Sequence, residues 1–288
     1  MLELLNIIIQ GVLLGGLYSL FAIGLSITYG VMRLVNIAHG DFLVLAAYLA
    51  LWPVSHLGMN PFVAILPIAA LMFCIGYILQ RVLLNRTMGP DILPPLLATF
   101  GLAIILRNGL LQIYSADAQS LQIGALSGAS LQLGDQISIG AFPLIVFAVA
   151  VALTFLVSLL FSRTSVGIAL RATSDDPATA GLMGIKALHA YAMAMGLSFA
   201  LVAVGGVFAG IRTTFTPDAG PASLIYAFEA VVIGGMGSLW GTFAGAIILG
   251  VAQGLGAEVN AGLGVLAGHL VFLAVLFFKP TGLFARTR

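Results

Sequence analysis

The chain has 288 residues, of which 61% are hydrophobic and only 7% charged, with a formal net charge of +1 and a mean hydropathy of +1.15. Soluble domains carry roughly 25% charged residues to cover their surface, so most of this chain faces lipid or neighbouring apolar helices rather than water. The near-neutral balance excludes broad attraction to nucleic acid, and a single cysteine, Cys74, excludes an intrachain disulfide.

The first apolar run covers 5–31. Its start, MLELLNIIIQ, holds Glu3 and no Lys or Arg, and the run exceeds the core of a cleaved signal, which predicts a retained membrane helix. Further apolar runs follow at 41–56, 61–84, 93–115, 140–161, 189–211, 223–257 and 264–278. Cys74 sits in the third of these eight and reads as buried packing. Backbone groups find no water in lipid, and ten-residue alternating strands are absent. The expectation is an all-α polytopic integral membrane protein of about eight to nine membrane segments. The run 223–257 is too long for one crossing and is interrupted at GGMGS. It is a Gly-broken segment near the C-terminal end, holding either two crossings or a re-entrant pair.

Polar residues within the oil are the candidate functional positions. VNIAHGDF places Asn36, His39 and Asp41 at the start of the second segment, where strict alternation puts them near the cytoplasmic surface and lets Asp41 cap the helix. Gating or helix packing explains them better than substrate contact, and no nucleophile accompanies them for catalysis. Arg107 and Asn108 interrupt the fourth segment; Glu229 stands just before the glycine break at Gly234, Gly235 and Gly237. A helix broken in lipid needs protein or a water-filled cavity around it. The break therefore points to the translocation path or to a tight turn, with Arg107 a conceivable partner for Glu229. Glycines four apart, at Gly11/Gly15, Gly206/Gly210, Gly250/Gly254, Gly264/Gly268 and Gly237/Gly241/Gly245, predict close helix packing.

Two polar stretches separate the runs. Residues 116–139 form either a hairpin or, preferably, an external loop. TTFTPDAGPAS, at 213–223, reads as an ordinary external loop, with contact to a delivery protein the other reading. Residues 163–188 carry RATSDDPATAGLMGI, in which Asp176 then Pro177 is a helix start and Gly184 a stop, leaving about two turns. So short a helix needs a partner; the alternative is a connecting loop with one helical turn. With this loop inside, Arg33, Arg81, Arg86, Arg163, Arg171, Lys186, Lys279, Arg286 and Arg288 also fall inside, nine of the eleven basic residues. That is the bias of cytoplasmic loops.

RATSDDPATAGLMGI, LYSLFAIGLSITYGVMRLVNIAHGDFLVLAAY at 17–48 and VVIGGMGSLWGTFAGAIILG at 231–250 together resemble permease subunits of branched-chain amino acid ABC importers, the LivH type. The resemblance implies a single permease domain over 1–288, with 163–188 as a cytoplasmic coupling loop and 116–139 outside. Arg171, Asp175, Asp176, Pro177, Ala180, Gly181 and Gly184 would then form the element that docks on an ATPase. It further implies a second permease subunit, identical or different, two ATPase subunits, a periplasmic solute-binding protein, a bacterial inner-membrane location and a cytoplasmic C-terminus. The chain is no enzyme and needs no cofactor of its own on this view. It has no G-x-x-x-x-G-K-[ST] motif, so ATP and Mg belong to partners. The cargo implied is a branched-chain or related hydrophobic amino acid. Amides, urea or aromatic compounds in the same importer class, or a self-sufficient secondary transporter, are the alternatives.

Overall fold

A computed structural model of the chain describes residues 2–89, 91–133 and 137–284. In chain order the elements are α1 (Leu2–Met32), α2 (His39–Leu57) and α3 (Pro61–Leu79), which runs through one π-helical turn, Gln80–Leu84, into α4 (Asn85–Thr87). Then come α5 (Leu93–Tyr114), the strands β1 (Ser130–Leu133) and β2 (Ile137–Gly140), α6 (Ala141–Arg163), α7 (Ser165–Asp175) and α8 (Pro177–Leu182). The chain continues with α9 (Ala187–Arg212), α10 (Gly220–Gly234), α11 (Leu239–Val259) and α12 (Leu263–Phe278). Among the described residues, seven helices are long and apolar enough to cross a membrane: α1, α2, α3 with α4, α5, α6, α9 and α11. The apolar helices α10 and α12 are shorter. At 15 residues, α10 spans about 22 Å, short of a hydrocarbon core of about 30 Å. The expected break in 223–257 thus falls between α10 and α11.

The helix ends follow local chemistry. Asn60 Oδ1 accepts from Phe62 N at 2.9 Å while Pro61 opens α3, and α2 closes on Gly58 at φ +60°. Ser238 Oγ accepts from Gly241 N at the start of α11, after a turn that needs positive φ at Gly235 and Gly237.

Two compact units are present: a first unit of Met1–Ile23, Gln122–Thr154 and Ile225–Arg288, and a second of Gly24–Leu121 and Phe155–Leu224. In the first, the glycine pairs do what small residues do in membranes. Gly11 lies against Val251 and Gly250, Gly15 against Ile247 and Ala246, so α1 and α11 meet backbone to backbone. Gly245 likewise meets Ala230 and Gly234, which closes α11 on α10. Leu283 N and Phe284 N donate to Ile233 O and Gly234 O, tying the tail to the end of α10.

In the second unit α9 is the central post, buried along most of its length, with α3 and α2 packed along it. Gly76 sits on Met195, Gly196 on Phe73 and Gly206 on Leu43. The Phe42 and Phe199 rings lie 4.1 Å apart, and Tyr48 is held between Tyr114 and Phe215. Against these contacts α5 stays open over much of its surface.

Three expectations are corrected. Ser130–Leu133 pairs antiparallel with Ile137–Gly140 in register Ser130↔Gly140 to Leu133↔Ile137, so the stretch 116–139 is not a plain loop. The loop 163–188 contains a second helix, α7, capped by Thr164 Oγ1 accepting from Gly167 N at 3.0 Å. Cys74 is exposed. The buried stripe of α3 is Ala64, Ile68, Met72 and Gly76, a four-residue repeat that leaves Cys74 off the packed face.

Candidate functional site

The polar residues of VNIAHGDF meet deep inside the second unit. The chain turns at Arg33, whose φ is +54°, and runs without helix to Ala38, with Leu34, Asn36 and Ala38 buried. Such backbone at membrane depth is tolerated only inside protein, and side chains take up its hydrogen bonds. Asn36 Oδ1 accepts from Ala38 N at 3.0 Å and Thr99 Oγ1 from Ile37 N at 3.3 Å. His39 then opens α2 beside Gly24 and Ser198, the latter near the middle of α9, where Ser198 Oγ donates to Gly24 O at 2.8 Å. The expectation of a site near the membrane surface is therefore wrong: α2 starts level with the middle of α9. Alternation by span length assumes that every segment runs from face to face, and this one does not.

Asp41 is in the first turn of α2 rather than at its cap, an acidic residue at the positive end of the helix dipole. Its carboxylate pairs with the Arg107 guanidinium of α5 at 3.4 Å, Asp41 buried and Arg107 about one-third exposed. This corrects the expected partner of Arg107. Gly220, the first residue of α10, closes over the pair. A Cβ there would stand 2.7 Å from the Asp41 carboxyl carbon, so only glycine fits.

Glu229 finds its partner within the first unit. Its side chain is buried on α10 and hydrogen-bonds through Oε1 to Nδ1 of His269 on α12. Around the pair, Tyr18 OH donates to Gln253 Oε1 at 2.6 Å and the Tyr18 ring stacks on Tyr226 at 4.9 Å, one turn before Glu229. Gly268 lets the Gln253 amide approach beside His269. Four helices thus contribute to one polar cluster. His269, Tyr18 and Gln253 had no signal in the sequence, because each is a lone polar residue on an apolar helix. Gly234 ends α10, Gly235 turns the chain at positive φ and Gly237, also at positive φ, leads into α11.

The segment 171–185 divides between two helices. Arg171 and Asp175 lie on α7, and Ser174 Oγ donates to Gly30 O, fastening α7 to the end of α1. Asp176 caps α8, accepting from Ala178 N at 2.9 Å and Thr179 N at 3.1 Å. The Thr179 hydroxyl, which donates to the same carboxylate, and then these two backbone bonds hold its carboxyl below the usual carboxylate range. Gly184, at φ +83°, ends the helix with Gly184 N donating to Gly181 O and Ile185 N to Ala180 O, a complete Schellman motif. Ala180 is the buried foot of α8. Leu182 and Met183 project at 88% and 81% exposure, and a Cβ on Gly181 would touch nothing. A short, capped helix with an apolar tip and no neighbour over it is built to be met by another surface.

Among the described residues, no three His, Cys, Asp or Glu side chains are grouped to hold a metal ion.

The family model described as branched-chain amino acid transport system / permease component matches residues 7–279. The chain is 31% identical to the high-affinity branched-chain amino acid transport system permease protein BraD of Pseudomonas aeruginosa, over 97% of this chain and 95% of that one. It is 28% identical to LivH of Escherichia coli, over 96% and 94%. A solved structure of PsaBC from Streptococcus pneumoniae in complex with Fab shares the fold at a TM-score of 0.50 and 16% identity, covering 94% of this chain and 91% of that one.

Proposed function

Because the chain belongs to the family of permease components of branched-chain amino acid transport systems, we propose that it carries branched-chain or closely related hydrophobic amino acids across the inner membrane. It does so as one transmembrane subunit of an ATP-driven importer. The observation that carries this reading is the family match over nearly the whole chain. The chain's share of the work is the membrane path. Two ATPase subunits supply hydrolysis, a second permease completes the pathway, and a periplasmic solute-binding protein delivers cargo.

The single permease domain takes the loop 163–188 as its cytoplasmic coupling element and 116–139 as an external element. Several features support that orientation. Arg33, Arg81, Arg86, Arg163, Arg171 and Lys186 gather at the end of the second unit marked by the start of α9. The tail bearing Lys279 then ends on the cytoplasmic side; Arg286 and Arg288 lie outside the described residues. In this reading α8 seats its Leu182–Met183 tip in a cleft of the ATPase, with Arg171, Asp175, Asp176, Pro177, Ala180, Gly181 and Gly184 shaping the contact. Asn36, His39, Asp41 and Arg107 form one gating element, where helix α2 begins at half-depth, and Glu229 with Gly234, Gly235 and Gly237 forms another. Helices broken at membrane depth are the usual form of transporter sites.

The test is uptake of radiolabelled leucine in proteoliposomes holding the complete importer, wild type against Gly181→Glu. An open position accepts the larger side chain without unfolding, so the variant should insert and assemble while ATP hydrolysis no longer drives uptake. Normal uptake at normal expression would remove α8 from the coupling path.

A further inference from the structure

A cavity of about 330 Å³ opens beside the start of α9, lined by α7, the α8–α9 connection and α9 itself. Val166, Leu170, Ile185, Ala190 and Met193 make its walls apolar, while Lys186 and His189 stand at its rim. The rim continues onto α3. Tyr77 OH hydrogen-bonds to His189 Nδ1 at 2.9 Å, and Arg81 donates to the same hydroxyl at 3.3 Å with its guanidinium over the Tyr77 ring. Arg81 donates to the Tyr77 oxygen, which leaves the Tyr77 hydroxyl proton for His189 Nδ1; in the tautomer that accepts it, the His189 proton sits on Nε2 and is a further donor. Arg81 and Lys186 are both exposed, and neither has an acidic partner within ion-pair distance among the described residues.

Depth matters as much as charge. The cluster lies near the end of the α3 span and at the start of the α9 span, the level at which tyrosines and basic residues mark the membrane–water boundary. One wall is α7, whose cavity face is apolar and whose Ser165 to Asp175 course ends in polar residues. An apolar hollow rimmed by two cations and an imidazole matches the chemistry of a phosphate headgroup above an acyl chain. We propose that this pocket is a binding site for an anionic phospholipid of the same leaflet. The phosphate is held by Arg81, Lys186 and the His189 Nε2 proton, and an acyl chain lies along Val166, Leu170 and Met193. The lipid so bound props α7 against α9 behind the α8 tip.

The test is native mass spectrometry of the full-length protein released from nanodiscs of phosphatidylglycerol and phosphatidylcholine in equal amounts. The wild type should retain phosphatidylglycerol selectively. Arg81→Ala and Lys186→Ala should each lower retention about fivefold, and Lys186→Arg should restore it, with thermal unfolding unchanged throughout. Equal retention of the two lipids would overturn the proposal. So would undiminished retention in Arg81→Ala with Lys186→Ala combined. If that double variant instead loses its co-purifying ATPase while retaining phosphatidylglycerol, the pocket belongs to the protein partner and the lipid assignment fails.

Discussion

Asp41 and Arg107 are unequal partners, and their inequality is measurable. Asp41 is enclosed by α2, α5 and Gly220, whereas Arg107 keeps about a third of its side chain exposed. Removing Arg107 strands a buried carboxylate, but removing Asp41 leaves a guanidinium that can swing outward. Arg107→Ala is therefore expected to lower stability by about 1–3 kcal/mol, Asp41→Asn by less, and the double variant to recover much of the loss. Thermal unfolding of the three purified proteins checks this, and equal losses in the two single variants would show that the pair is not strained by burial. The Glu229 carboxylate poses the same question in the first unit. Glu229→Gln keeps the shape and one acceptor for His269 while deleting the charge, so leucine uptake should change with assembly intact. Unaltered uptake kinetics would leave Glu229 a packing residue.

Helix packing and helix capping set the behaviour of whole elements. Gly15 and Gly109 are both helical glycines, yet a Cβ on Gly15 would lie 2.7 Å from the Ala246 carbonyl oxygen while one on Gly109 would meet nothing. Gly15→Ala forces α1 away from α11 and should abolish accumulation in the membrane. Gly109→Ala gains helix propensity and should be silent; equal expression of the two would refute the packing role. For α8 the decisive element is its cap. Asp176→Ala strips two backbone N–H groups of their acceptor, which removes the N-cap of so short a helix. ATPase co-purification should weaken while the membrane helices stay folded. Acidification acts in the same direction: the folded carboxyl titrates below its ordinary value, so the cap is fully present above the ordinary carboxylate range, near pH 4, and is lost as pH falls through the lowered value.

At the scale of the whole molecule the basic residues decide orientation. With Cys74 replaced by serine, a cysteine at Gly181 should react with a membrane-impermeant maleimide only after cells are opened, and one at Ser127, ahead of β1, should react in intact cells. The opposite pattern would invert the topology and move α8 away from any cytoplasmic motor. Two units folded from interleaved segments also explain why chain order is a poor guide to neighbours. α1 gives its first two-thirds to one unit and its end to the other, so each unit draws on distant stretches of sequence.

Local chemistry was legible in the sequence. Apolar length gave the spans, Asp176, Pro177 and Gly184 gave both ends of α8, and glycines four apart gave the close crossings. Each of these signals lies within one helix or one turn and needs no knowledge of a partner. The pairs at the candidate sites were not legible. Asp41 meets Arg107 across 66 residues and Glu229 meets His269 across 40, and in a chain this apolar no local pattern says which helix a lone charge will face. The half-depth start of α2 was hidden for a related reason. Residues 33–38 leave the helix with their backbone buried because Tyr29 of α1, Thr99 of α5 and the Asn36 side chain take up their hydrogen bonds, a condition that exists in full only once the tertiary structure has formed.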